Sequence, residues 1–406
     1  MQSQPINFDD TKTAFAHKST SDLKSSHFVF SSMSSPWMVK TGTSLTNFAL
    51  NLKLPVKGII KKTLFNQFCG GESIEDCSNT IKTLGEYKVQ TILDYSVEGL
   101  KNEDGYNDTK EEALRVIDFA ADNEHIPFCV LKLSGLGSTD LMTKAQAKEK
   151  LTDIEKTKLY NAEKRVDEIV QKAEAKGLMV MIDAEESWFQ SFIDGVAYRM
   201  MEKYNKERPI VYNTYQLYRH DILDRLKRAQ IQAEHDGYHL GVKLVRGAYM
   251  EKERDRAEEM GYESPIHTTK EGVDKDYDEA LRYCMQNISH IGICAGTHNE
   301  HSSNLLAQLM SEQGIENNDN RIFFAQLLGM SDNISFKLAN MGYNVAKYVP
   351  YGPVEKVLPY LFRRAEENTS IAGQSGREYT LVKKELRRRK YFFYWTVWNI
   401  FGNIVS

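Results

Sequence analysis

Along the chain, short runs of β-branched and other apolar residues alternate with longer stretches in which apolar residues recur at helical spacing, and this happens eight times. The strand candidates are "TILDYSVEG" from Thr91, "FCVLKLSGL" from Phe128, "LMVMIDAEES" from Leu178 and "IVYNTYQLY" from Ile210, then "LGVKLVRGAY" from Leu240, "IGICAGTH" from Ile291, "IFFAQLLGM" from Ile322 and "NVAKYVPYG" from Asn344. Segments between them, such as "TKEEALRVIDFAADN" and "NEHSSNLLAQLMSEQ", have the apolar spacing and polar ends of amphipathic helices. Eight alternations predict an α/β fold, a (β/α)8 barrel rather than an open sheet. A second pattern favours the barrel, because the apolar runs give way at their C-terminal ends to chemically able residues: Lys132, Asp183, Gln216, Arg246, His298 and Tyr348. Barrels of this kind assemble their sites at that end of the strands.

Before the first run, residues 1–87 read as a helix-rich arm. Ser19 to Thr46 is rich in Ser, Thr and Lys and suggests loose order, and the helices beyond it break at Pro55 and at Gly70-Gly71. The start, with Asp9 and Asp10 and no apolar core segment, resembles neither a secretory signal nor a transit peptide and is expected to be cytoplasmic. The barrel is expected over 88–376 and a basic, aromatic tail over 377–406. With a net charge of -4, the chain offers no whole-molecule case for nucleic-acid binding. Five cysteines without a C-x-x-C pair argue against a zinc site or a disulfide framework and for a reducing compartment. No metal site is expected. No G-x-G-x-x-G follows a strand, so no nicotinamide dinucleotide site is expected either.

Two stretches carry chemistry. In "YLFRRAEEN", Tyr360, Arg363, Arg364 and Glu367 stand at helical offsets, while Val354, Leu358, Leu361 and Ala365 form the apolar stripe beside them. Arg precedes Glu, the less favourable order for helix stabilisation, so the pair explains little as a surface ion pair. At the mouth of the last βα unit the guanidinium groups would instead offer forked donors to a carboxylate. In "VKLVRGAYMEKER", Gly247 and Ala248 lack bulk, so a flat ring can lie on the backbone there, with Lys243 and Arg246 bringing positive charge.

These stretches, together with "ILDYSVEG", "KLSGL", "MIDAEES", "YNTYQLY", "GTHNEHS", "QLLGMSD" and "YVPYGPVEKVLPYLFRRAEENTS", resemble the proline dehydrogenases, and the likeness covers most of the chain. The resemblance implies a distorted (β/α)8 barrel, bound FAD, and oxidation of L-proline to 1-pyrroline-5-carboxylate. It assigns Arg363, Arg364 and Lys132 to the substrate carboxylate. Asp183, Tyr249, Leu327, Tyr348 and Tyr360 would line the proline ring, with Tyr348 disfavouring 4-hydroxyproline. Gln216, Lys243, Val245, Arg246, Gly247, Ala248, Thr297, His298 and Glu367 would contact the FAD. Part of the family has Arg first and Lys second on the fifth strand; here Lys243 comes first and Arg246 second. Competing readings are a non-catalytic binding protein on the same scaffold and a hydroxyproline dehydrogenase.

From Arg363 to Lys390 there are nine Lys or Arg against four Asp or Glu, followed by "YFFYWTVWNIFGNIVS". The aromatic run is shorter than the ~20 residues of a membrane span, but basic and aromatic residues together suit the surface of an anionic bilayer. Free-standing relatives reduce a membrane quinone. The expectation is therefore a quinone acceptor with peripheral contact on the inner face of the cytoplasmic membrane, against a tail that simply packs on the barrel. No aldehyde-oxidising domain of the kind that some bacterial relatives carry is expected.

Overall fold

In the computed structural model, the described residues are 5–33, 57–97, 101–370 and 374–402; within these, side chains at 57, 59, 363–370, 374–375 and 391–402 fall outside the description. Eight parallel strands close into a barrel in chain order. They are β1 (Val89–Tyr95), β2 (Phe128–Leu131), β3 (Met179–Ile182), β4 (Val211–Gln216), β5 (Leu240–Val245), β6 (Ile291–Gly296), β7 (Ile322–Leu327) and β8 (Val345–Tyr351). Closure is made by β1 against β8 in continuous register from Val89↔Val345 to Tyr95↔Tyr351. All eight strands lie where the apolar runs predict them.

The outer helices form because their polar ends and apolar faces agree. Asp153–Ala175, for example, starts on a reciprocal capping box in which Thr152 receives the Glu155 N–H and the Glu155 carboxylate receives that of Thr152, and it buries Val166, Ile169 and Val170 against the strands. Inside the barrel the pleat alternates. Ile92, Phe128, Met181, Tyr212, Cys294, Phe323, Ala346 and Tyr348 make a separate inner core. The Phe128 ring meets Tyr212 at 5.4 Å and Phe323 at 4.8 Å, both edge to face, and plugs the lower part of the barrel. Residues of the same parity nearer the C-terminal ends of the strands sit above this plug: Asp94, Lys132, Asp183, Gln216, Lys243, Leu327 and Tyr348.

A satellite core lies over one side of the mouth. Phe30 and Leu23 from helix Thr20–Met33 join Phe65, Phe68, Val357, Leu358, Leu361, Leu381 and Val382. The Ser- and Thr-rich stretch from Ser19, expected to be loosely ordered, is thus a helix as far as Met33, because a hydrophobic stripe that propensity alone would not hold finds a partner in helix Gln374–Gly402. The helix leading to Gly70 contains a π-turn at Lys61–Phe65 and ends at Phe68. Pro55 and residues 34–56 lie outside the described residues.

Candidate active site

Above the aromatic plug, four charged side chains meet. Lys132 Nζ donates to Asp94 Oδ1 at 3.0 Å and lies 3.6 Å from Asp183 Oδ2. Lys243 Nζ donates to Asp183 Oδ1 at 2.5 Å and also to the Tyr348 hydroxyl. Two carboxylates and two ammonium groups cancel, which is how charges tolerate so little water; Lys243 and Tyr348 are 6% and 7% exposed. Burial opposes the charged form of Lys132, but Asp94 and Asp183 outweigh it and hold the ammonium pKa above the usual lysine value. Burial likewise pushes Asp94 up, and Lys132 with the Ser96 hydroxyl more than reverses this, leaving its pKa below the ordinary carboxylate value. Tyr348 is pushed well above the ordinary phenol value by burial and by the neighbouring Asp183 charge, so it is a neutral hydroxyl.

A cavity of about 990 Å³ opens from this cluster to the rim. It is lined by Lys132, Asp183, Gln216, Lys243, Val245, Arg246, Gly247, Ala248, Tyr249, Thr297, His298, Leu327, Tyr348 and Tyr360, so every expected site residue whose side chain is described faces one space. That volume lies near the upper end of ligand pockets and far exceeds what proline alone would fill. The rim fits a flat ring system. Gly247 and Ala248 are exposed to the cavity, and Gly247 has φ +134°, where a Cβ would also come within 2.5 Å of the Tyr218 ring. The residues present therefore accommodate a flavin: a bare backbone cradle, a buried Gln216 anchored by its Nε2–H to Glu185 O at 2.7 Å, and fixed cations on either side.

The cation on β5 and the one just past its end point apart. Lys243, three residues before Arg246, points inward beside Tyr348. Arg246 lies at the rim, stacked on the Tyr277 ring at 4.3 Å and donating to Asp274 at 2.8 Å, Thr297 Oγ1 at 2.7 Å and Ser302 Oγ at 3.0 Å. Helix Val354–Ser370 crosses the mouth with Pro359 and Tyr360 lining the cavity. Positions 363, 364 and 367 continue it one and two turns beyond Tyr360; the side chains of Arg363, Arg364 and Glu367 lie outside the described residues.

The sequence profile described as proline dehydrogenase matches residues 77–377. The chain belongs to the proline dehydrogenase family. Among its relatives, proline dehydrogenase 1, mitochondrial, of Dictyostelium discoideum is 32% identical over 429 aligned residues, covering 94% of this chain and 74% of the relative. Its namesake in Arabidopsis thaliana is 31% identical over 431, covering 95% and 86%. A crystal structure of proline utilization A from Bdellovibrio bacteriovorus, inactivated by N-propargylglycine, shares the fold with a TM-score of 0.69 at 22% identity; it matches 78% of this chain, which spans only 34% of that larger protein.

Three acidic residues of this proline dehydrogenase site were not singled out from sequence. Asp94, the partner of Lys132, stands on β1 in "ILDY", and its signal was present in the inward parity it shares with Ile92. Glu185, 3% exposed, accepts the Ser134 N–H at 2.9 Å, and burial pushes its carboxyl up to about 7. Glu378, also 3% exposed, enters the cavity wall from helix Gln374–Gly402, which no local pattern places there. Among the described residues no group of His, Cys, Asp and Glu could hold a metal ion, and all five cysteines are buried and free.

Proposed function

We propose that this chain is an FAD-dependent proline dehydrogenase that oxidises L-proline to 1-pyrroline-5-carboxylate, the first step in breaking proline down to glutamate. The observation that carries this reading is the convergence of the Lys132–Asp94–Asp183–Lys243 cluster and the Gly247–Ala248 cradle on one cavity. Bound flavin supplies the two-electron acceptor chemistry. Gln216, Lys243, Val245, Arg246, Gly247, Ala248, Thr297, His298 and Glu367 hold it. Lys132, Arg363 and Arg364 anchor the proline carboxylate, whose unpaired burial would cost several kcal/mol. Asp183 orients Lys132 and Lys243, while Tyr249, Leu327, Tyr348 and Tyr360 enclose the ring and exclude water. Tyr348, whose hydroxyl is held by Lys243, disfavours a hydroxyl substituent on the proline ring and so favours proline over hydroxyproline; the fixed hydroxyl supports this reading.

The division into an arm (1–87), a barrel (88–376) and a tail (377–406) is part of the same reading, supported by β1 beginning at Val89. Electrons pass on to a quinone, with peripheral membrane contact through the tail on the cytoplasmic face of the cytoplasmic membrane. Supporting this are the exposed Lys384, Arg387 and Lys390. Weighing against it, Arg377, Arg388 and Arg389 already hold internal carboxylates. Among the described residues no helix is long and apolar enough to cross a membrane. The deciding measurement is the visible spectrum of the purified protein before and after proline under nitrogen. A flavin band bleached by proline supports the enzyme, and a colourless protein ends the proposal.

A further inference from the structure

One helix at the rim of the cavity is seated almost without apolar contact. Helix Met250–Met260 follows directly on the Gly247–Ala248 cradle and on Tyr249, its N-cap residue. Of its 11 residues only Glu253 and Ala257 are buried, at 0% and 3% exposure. A single buried methyl group removes little apolar area from water, and a helix this short does not persist on propensity alone.

The buried carboxylate supplies the hold. Glu253 Oε1 accepts the Ser187 N–H at 2.6 Å, and Oε2 accepts the Ser187 hydroxyl at 2.5 Å. Ser187 opens helix Ser187–Tyr204, whose own N-cap residue, Glu186, makes no side-chain cap bond. Its N–H is one of the donors that a helix leaves unmet at its start, and a carboxylate there also answers the positive end of the helix dipole. Two charge-assisted bonds are what make complete burial of Glu253 tolerable. Beside this contact Glu186 pairs with Lys252, and Arg256 stacks on Trp188 at 4.5 Å.

Both ends of the clasp belong to the site. Ser187 ends the turn that begins at Asp183 and includes Glu185, whose carbonyl anchors Gln216. On the other side, the residues just past β4 hold the end of β5 through Leu217 N–H to Val245 O at 2.8 Å and Tyr218 N–H to Arg246 O at 2.6 Å. From Gly247 the chain runs into helix Met250–Met260, and the Glu253 N–H returns to Tyr249 O at 2.9 Å. The placement of the cradle and of Tyr249 is therefore coupled to where this helix sits. We propose, resting on the flavin and proline reading above, that Glu253 is a positioning residue. Its two-point hold on Ser187 latches the cradle and Tyr249 to the Asp183 turn and so fixes the wall against which cofactor and substrate lie.

The test combines amide hydrogen exchange with proline kinetics on the purified full-length protein. In Glu253→Ala the amides of residues 248–257 should exchange about ten- to a hundredfold faster, as expected for losing hydrogen bonds to a charged group, while those of helix Asp153–Ala175 keep wild-type rates. KM for proline should rise about tenfold or more with kcat changed by less than about threefold, because binding contacts are displaced while the hydride acceptor stays. Glu253→Gln, which keeps an acceptor for the Ser187 N–H, and Ser187→Ala, which keeps that N–H and loses the hydroxyl, should show smaller shifts in both readouts; they decide the matter if the alanine variant at 253 does not fold. Wild-type exchange over 248–257 in the folded variants, exchange that rises throughout the chain, or local loosening with an unchanged KM overturns the inference. A wild type that does not oxidise proline ends the proposed function, while exchange over 248–257 still decides the latch.

Discussion

Replacing Lys132 by Met removes the cation that Asp94 shares with Asp183, and the structure sets the size of the effect. Deleting one partner of a buried ion pair costs ~3–5 kcal/mol when the remaining charge is uncompensated. Here Asp94 keeps the Ser96 hydroxyl at 2.9 Å, Asp183 keeps Lys243 at 2.5 Å, and the Lys132 side chain is 32% exposed, so water reaches the gap. The expected loss is ~2 kcal/mol, or about 2–3 °C in melting temperature for a chain of this size. Asp94→Asn on the Lys132→Met background should restore much of it, because the orphaned charge is gone, giving a coupling of about 1–2 kcal/mol. The same substitution should raise KM for proline by about ten- to a hundredfold, the worth of one hydrogen bond to a charged group. The cluster also has a pH window. Asp94, its pKa lowered in the fold, contributes stability that is present above ~3.9 and lost as pH falls through its folded value; Lys132, raised, contributes below ~10.5 and loses it as pH rises through its own. Thermal melts of the two single variants and the double variant, together with proline kinetics, provide the assay. Additive stabilities within ~0.5 kcal/mol, or an unchanged KM in folded Lys132→Met, would refute the reasoning.

Substituting Arg363 or Arg364 by Met should raise the proline requirement by orders of magnitude and leave the yellow cofactor bound; wild-type kinetics in both variants would remove the carboxylate clamp. Gly247→Ala must place a Cβ at φ +134° against Tyr218 and should cost ~1–3 kcal/mol, read as a lower flavin-to-protein ratio and melting temperature. His17 stacks on Phe336 at 3.8 Å and is depressed to about 3, so the unfolded chain binds the extra proton and stability is lost as pH falls from ~6.5 towards 3. His17→Phe keeps the stack and should flatten that acid limb by at most ~1.4 kcal/mol per pH unit; an equally steep limb would show that other groups set it. Liposome flotation of the full chain and of a chain ending at residue 390 tests the tail: equal flotation removes it from membrane contact.

Much of this protein is legible locally, because strand period and helix period are properties of neighbouring residues. The eight strands, and the residues at their C-terminal ends from Lys132 to Tyr348, follow from pattern and from the common geometry of barrel mouths. Even the separation of Lys243 from Arg246 is implicit in an odd spacing on a strand, although which of the two faces inward needs the register to be known. The Ser- and Thr-rich start of helix Thr20–Met33 misleads, since its own sequence forms a helix only weakly and its stability comes from Phe68, Val382 and their neighbours, far along the chain. Asp94 beside Lys132, and Glu378 beside Ser331, are separated by 38 and 47 residues. Which carboxylate neutralises which lysine is therefore a matter of how the closed barrel and its two terminal segments bring distant residues into one low-dielectric space. Charge pairing falls off within a few ångströms, so sequence periodicity names the participants and folding alone chooses the partners.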